Sequence, residues 1–397
     1  MRYRSWDDII DRGSIMSLIS DHDGEARLVG GCVRDLLLEK EAHDIDLATN
    51  LPPMQVMQIL QENNIKCVAT GLKHGTITAI INSEPIEITT LRRDLKCDGR
   101  HAVTEFTDDW QEDAARRDFT FNALYCDISN KIYDYFGGKK DLENRRLRFV
   151  GDTEKRICED YLRMLRAFRF HAQIECIDLD QDILNVCQQY ASKINILSLE
   201  RITHEMLKLL QCRYAGKSLM AMQKCNLLKE ILPWDISIDN KEFISKDAIV
   251  NLAIILRASK LEKYCKDIVL KLRLSKKQHK QLQQLAQANI DLSKKKQKLH
   301  IYKLGKEIYL QTLIVYYHEN KINYDCMVIY YKSALNIDTI KCPINGEDLI
   351  NLGYKQGAQL GVCLKQANHY WQSNNCLPDK NDLLNYVKSL NKKNCDI

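Results

Sequence analysis

Asp44 and Asp46 flank Ile45 in the stretch "GGCVRDLLLEKEAHDIDLAT", residues 30–49. On a strand, side chains alternate faces, so both carboxylates point the same way, their Cα atoms roughly 6.5 Å apart. Like charges that close repel, and one tends to take a proton. A divalent cation removes the conflict, since Mg2+ is held through one or two carboxylates plus substrate phosphates. Upstream, Gly30 and Gly31 separate a predicted strand from a predicted helix. Bare backbone there lets a phosphate reach the amides at the helix start, where the dipole favours an anion. Arg34, one turn in, adds a guanidinium for the same phosphates. Together these residues outline a site for a nucleotide and a metal.

Further polar clusters follow. "TGLKHGTIT" (70–78) reads as a glycine-rich turn. Glu87, in "IEITTLRRD", falls on a strand, either as a third acidic group near the metals or as an ordinary exposed residue. "DAARRDFTFNALY" (113–125) gathers Arg116, Arg117, Asp118 and Asn122 around Phe119 and Phe121. That composition suits rigid presentation of arginine and aspartate into a pocket. In "EDYLRMLRAFRF" (159–170), Arg163, Arg166 and Arg169 recur along one drifting helical face, beside Leu162, Leu165 and Phe168. Asp160 and Arg163 are i,i+3 neighbours, the spacing of a helical salt bridge.

The elements that must position these groups are of two kinds. Strands are predicted at 27–30, 44–48, 66–70, 76–81, 86–90, 123–127 and 131–136, with helices near 32–39 and 53–63. Beyond about residue 150 helical spacing dominates, so a mixed α/β or α+β head precedes a helical body. The segment "NGEDLINLGYKQGAQLG" (345–361) reads as a turn between two helices. At 397 residues the chain is long enough for several domains. A 45% hydrophobic and 28% charged composition fits a soluble globular protein, and no run of 18 apolar residues suggests a membrane span. The N-terminus lacks a secretory apolar segment. Fifteen scattered cysteines with no C-x-x-C pattern fit reduced thiols, hence a cytoplasmic location. Net charge is +5, but Lys260–Lys306 holds 14 Lys/Arg against 3 Asp/Glu, a stripe suited to a polyanion or to solvent.

The ordered motifs "GGCVRD…DIDLAT", "RRDFTFNALY", "RFVGDTEKRICEDYLRMLRAFRF" and "LERITHE" resemble those of the class II tRNA nucleotidyltransferases, the bacterial CCA-adding enzymes and poly(A) polymerases. The resemblance is strong over residues 27–210; the tail phrase with Trp371 matches more weakly, and the segment around Ala367 is less acidic than the family pattern. It implies an α+β fold. A polymerase β-like nucleotidyltransferase head (1–145) would precede an all-α neck (146–210), body (211–280) and tRNA-binding tail (281–397).

By the same resemblance, Asp44 and Asp46 would hold two Mg2+ ions. Gly31 and Arg34 would bind the phosphates of the incoming nucleotide, Arg117 and Asp118 its sugar, and Asp160 and Arg163 its base. Asn122 would join the nucleotide pocket, and Arg166 and Arg169 would add positive charge. A flexible loop at 91–106, with Arg93 and Asp94, would adjust the pocket from CTP to ATP. Lys294, Lys295, Lys296 and Lys298 would meet the tRNA acceptor and T arms. The implied activity is template-independent addition of CCA to tRNA from CTP and ATP. The sequence leaves three alternatives: an A-adding enzyme, a poly(A) polymerase, and, more remotely, a non-catalytic RNA-binding protein on this scaffold. The form of the 70–78 segment is the CCA type. No membrane and no obligate protein partner is expected.

Overall fold

The computed structural model describes residues 14–394 except 43, 98–101, 177, 240–241 and 339. The chain divides into two compact units. One runs to Trp234, with short later returns at Asp239–Phe243 and Lys271–Arg273; the other takes Ile244–Leu270 and the chain from Leu274 on.

The first unit begins with a mixed sheet. Its strands are β1 (Ala26–Val29), β2 (Asp46–Thr49), β3 (Lys66–Gly71), β4 (Thr76–Ile81) and β5 (Glu84–Thr90). A separate hairpin, β6 (Arg92–Cys97) and β7 (Ala102–Phe106), follows, then β8 (Leu124–Cys126) and β9 (Ile132–Asp134). Among the described residues, seven strands form one sheet in the order β3-β4-β5-β2-β1-β8-β9. β2 and β5 run parallel, with Asp46 opposite Glu87. β1 sits antiparallel between β2 and β8. Leu28, Leu47, Ile77 and Ile88 bury against Val33 of the helix Gly31–Leu37 and Ile59 of the helix Pro53–Glu62. Pro53 opens the latter, where its missing N–H costs nothing. The turn at 70–78 is as expected: three residues of 3-10 helix, Leu72–His74, then Gly75.

Two expectations change. The strand around the aspartates starts at Asp46, so Asp44 lies exposed just ahead of it. Most of the 91–106 segment is a two-stranded hairpin, with Arg93 opposite Glu105 and Asp94 opposite Thr104; its centre, 98–101, lies outside the described residues. Its polar, charged strands carry little apolar alternation, the signal by which a strand is read.

Helices carry the rest of this unit. Thr153–Glu159 and Leu162–Gln173 are separated by Asp160, whose φ of −154° and ψ of 107° are extended. Phe119, Phe121, Phe149 and Phe170 form a ring cluster with centroids 4.6–5.6 Å apart, tying the "RRDFTF" segment to the second of these helices. In the second unit, Tyr309, Leu313, Tyr316 and Met327 make one core, and Leu349, Ala367, Trp371 and Leu383 another. The 345–361 segment, expected as a turn between two helices, contains the helix Gly346–Asn351 and the start of the helix Ala358–Ser373, with the turn confined to 352–357. No helix among the described residues is long and apolar enough to cross a membrane.

His171, on Leu162–Gln173, is buried with Nδ1 2.7 Å from Ser218 Oγ. Burial, then nearby Lys217, pulls its pKa down to about 4, with Asp178 opposing. The unfolded chain therefore binds the extra proton first, between pH 6.5 and about 4. Stability from this site is complete above pH 6.5 and is lost as pH falls towards 4, by about 3 kcal/mol. Denaturant titrations across that range should show a shallower acid limb for His171→Gln than for the parent chain.

Candidate active site

The strand β1 runs directly into Gly30, whose φ of 74° and ψ of −119° suit glycine alone. A Cβ there would meet Arg117 Nη1 at 3.5 Å, and one on Gly31 would meet Arg34 Nη2 at 3.7 Å. Both glycines therefore face a cavity of about 470 Å3, also lined by Arg34, Asp46, Arg117, Asp118, Asn122, Asp160, Arg163, Arg166, Arg169, Phe170 and Lys208. Residues from five separate sequence segments thus converge.

Guanidinium charge dominates, and each arginine is fixed. Arg34 donates to Asp35 at 2.8 Å and to Asn122 Oδ1 at 2.8 Å. Arg117 pairs with Asp113 at 3.0 Å, and Arg116 with the same carboxylate at 2.7 Å. Tyr125 donates its hydroxyl to Asp113 at 2.7 Å. Burial alone would raise the Asp113 carboxyl, but the two guanidiniums hold it well below the usual carboxylate range. Arg166 pairs with Asp118 at 2.5 Å, and Asn122 donates to the same carboxylate at 3.0 Å. Burial opposes ionisation of Asp118 too, yet Arg166 and these bonds bring its pKa down to about 2. Arg169 donates to Glu205 at 2.6 Å.

Asp160 and Arg163 do not form the i,i+3 salt bridge their spacing suggests. Asp160 sits in the helix break and instead accepts from Arg201 at 2.7 Å. Arg163 donates to Glu159 at 2.7 Å and to the carbonyls of Arg156 and Arg116. Among the described residues this leaves Nε–H and one Nη2–H of the guanidinium unengaged. A carboxylate acceptor and a guanidinium donor thus line the same cavity, each held by other groups.

Asp46 is largely buried at the cavity wall. Burial first, then Glu87, pushes its carboxyl up to about 6; Arg117 opposes and Asp44 adds to the rise. Glu87 is the exposed cross-strand neighbour of Asp46. No group of three or more His, Cys, Asp or Glu side chains among the described residues forms a ready cage. Hard oxygens, two carboxylates and room for phosphates nevertheless match Mg2+, which keeps part of its shell for water and substrate. Arg93, by contrast, lines a separate cleft with Glu105 and Glu112, which it pairs at 2.8 and 3.1 Å.

Residues 26–148 match the Poly A polymerase head domain, and residues 176–234 match a probable RNA and SrmB-binding site of polymerase A. The chain is 32% identical over 394 residues to CCA tRNA nucleotidyltransferase 1, mitochondrial, of Homo sapiens, covering 94% of this chain and 89% of that protein. The chain belongs to the CCA tRNA nucleotidyltransferase family. The CCA-adding enzyme of Oceanobacillus iheyensis is 39% identical over 207 residues, 52% of this chain and 50% of that enzyme. Among solved structures, the Bacillus stearothermophilus CCA-adding enzyme in complex with CTP superposes with a TM-score of 0.76 at 25% identity, covering 96% and 97% of the two chains. The Thermotoga maritima CCA-adding enzyme complexed with tRNA shares the fold, with a TM-score of 0.63 at 20% identity over 94% and 93% of the chains.

This nucleotidyltransferase site also contains residues to which the sequence reading gave no role. Asp113 anchors both arginines before Asp118. Glu159 fixes Arg163. Arg201 and Glu205 belong to the "LERITHE" motif, whose i,i+4 spacing already places them on one helical face.

The carboxylate of Asp46 is costly without a cation. Its raised pKa means the folded chain binds its proton more tightly, so this site favours folding least above pH 6. In metal-free buffer at neutral pH, Asp46→Asn should raise the melting temperature by about 2 °C. Mg2+ should raise the melting temperature of the parent chain and leave that of the variant unmoved. A variant that melts below the parent in both buffers would refute this account of Asp46.

Proposed function

We propose that this protein adds CCA, one nucleotide at a time and without a nucleic-acid template, to the 3′ end of tRNA from CTP and ATP, releasing pyrophosphate. The observation that carries it is the Asp160/Arg163 pair, each member fixed by other residues and both lining the cavity that contains Gly31, Arg34 and Asp46.

The base chemistry follows from donor and acceptor pattern. Cytosine and adenine both place an exocyclic amine donor beside a ring-nitrogen acceptor. Asp160 accepts from the amine, and Arg163 donates to the ring nitrogen. Uracil and guanine present the reverse pattern and leave buried groups unpaired, at about 1–3 kcal/mol each. Arg117, Asp118 and Asn122 hold the sugar side of the nucleotide. Gly31 and Arg34 hold its phosphates, with amides at the helix start and a guanidinium. Bound at Asp44 and Asp46, two Mg2+ ions would make the primer's 3′-hydroxyl more acidic and offset triphosphate charge. Arg166 and Arg169 contribute positive charge, held by Asp118 and Glu205.

In this reading the head to 145 carries the chemistry, the neck to 210 reads the base, and the body to 280 and the tail bind tRNA. Lys294, Lys295 and Lys298 are exposed, while Lys296 pairs with Asp291 at 2.6 Å. They supply phosphate contacts to the acceptor and T arms. The hairpin carrying Arg93 and Asp94 supports the change from CTP to ATP. The thirteen free cysteines among the described residues suit a reducing compartment such as the cytoplasm.

The deciding experiment supplies tRNA lacking its 3′ end with CTP and ATP, separately and together, and sequences the products. Products ending in CCA are expected, and UTP or GTP supplied in place of CTP and ATP should extend none. Incorporation of ATP alone would overturn the proposal. Asp160→Ala should lower CTP and ATP use roughly 5- to 150-fold, with a relative gain for UTP or GTP. Wild-type discrimination in that variant would remove the pair from base reading. Replacing Lys294, Lys295 and Lys298 with Gln should flatten the fall in tRNA affinity with salt. An unchanged slope would place the tRNA elsewhere.

A further inference from the structure

The helix Leu199–Leu210 carries Arg201, Glu205 and Lys208 at i, i+4 and i+7, one face of the helix. Arg201 bonds the base-reading Asp160, and Glu205 bonds Arg169. Lys208 lines the cavity itself, together with Gly30, Gly31 and Arg34. From Arg201 to Lys208 the axis advances roughly 10 Å. The helix face thus supports two cavity residues, Asp160 and Arg169, from behind and places Lys208 in the cavity lining itself.

Lys208 differs from the cavity's arginines. Arg34, Arg117, Arg166 and Arg169 all have carboxylate partners. Lys208 makes no ion pair among the described residues. We infer that Lys208 binds the terminal phosphates of the incoming nucleotide and, after transfer, the departing pyrophosphate. This rests on the proposed function and extends it by one substrate contact. Three observations agree. The ammonium shares its cavity with the glycine turn and Arg34, the two features suited to phosphate. Burial, then Arg169, holds its pKa below the ordinary lysine value, with Glu205 and Asp44 opposing. An ammonium is also a compact point charge, fit for a phosphate whose position shifts between substrate and product.

Lys208→Gln and Lys208→Arg test the assignment, because the residue is exposed and neither change leaves a cavity. The Gln variant should raise KM for both CTP and ATP about tenfold or more, and weaken inhibition by pyrophosphate similarly. KM for the tRNA primer and the melting temperature should stay put, and Arg should restore most of the loss. Unchanged constants for CTP, ATP and pyrophosphate would overturn the inference. So would a change confined to the primer, which would assign Lys208 to an RNA phosphate. Calorimetry with inorganic tripolyphosphate, without primer, separates this from the proposed function. Equal binding by parent and Gln variant sinks the Lys208 assignment even if CCA is added normally. A parent chain that binds tripolyphosphate more tightly than the variant, yet incorporates neither CTP nor ATP, sinks the proposed function and leaves the phosphate contact standing.

Discussion

Mutual repulsion among guanidiniums is the constraint this site is built around. Arg34, Arg117, Arg163, Arg166 and Arg169 share one cavity. Left unpaired, they would splay apart before any nucleotide arrived. Each is instead tied to a carboxylate: Arg34, Arg117 and Arg163 to near neighbours in sequence, Asp35, Asp113 and Glu159, and Arg166 and Arg169 to the distant Asp118 and Glu205. Buried pairs of this kind give little net stability, because desolvation offsets most of the attraction. Their value is positional: the arginines meet a substrate with their geometry already set, which lowers the ordering cost of binding.

The scaffold serves that arrangement. The glycine pair depends on β1 ending where the helix Gly31–Leu37 begins, between β2 and β8. The 3-10 turn Thr120–Asn122 presents Asp118 and Asn122 because Phe119 and Phe121 are clamped by Phe149 and Phe170. Aromatic packing fixes the backbone, and the backbone fixes the polar groups. Arg27, sandwiched by Trp110 and Tyr133 at 3.9 and 3.5 Å, extends the same principle along the sheet.

Much of this was legible in the sequence. Strands such as "TITAII" announce themselves through β-branched residues. The ordered motifs placed Gly31, Arg34, Asp46, Asp118 and Asp160 in what proved to be one cavity. What escaped was partnership. The i,i+3 spacing of Asp160 and Arg163 suggests a bond, but Asp160 is itself extended and lies outside the helix that carries Arg163, and spacing rules hold only within an element. Glu205 was not legible because Arg169 lies 36 residues away, whereas Asp113 stands at i,i+3 and i,i+4 from Arg116 and Arg117, a spacing that could have found it. The hairpin at 92–106 escaped because its strands are stabilised by charged pairs such as Arg93–Glu105 rather than by a buried face.

The twelve-residue helix Leu199–Leu210 bonds Asp160 through Arg201 and Arg169 through Glu205. A continuous hydrogen-bonded helix moves as one stiff rod. Any displacement at Asp160 is therefore carried to Arg169. With the roles proposed above, accuracy and speed would be geared together: a substitution that tilts the rod would change which nucleotide is accepted and how fast it is joined.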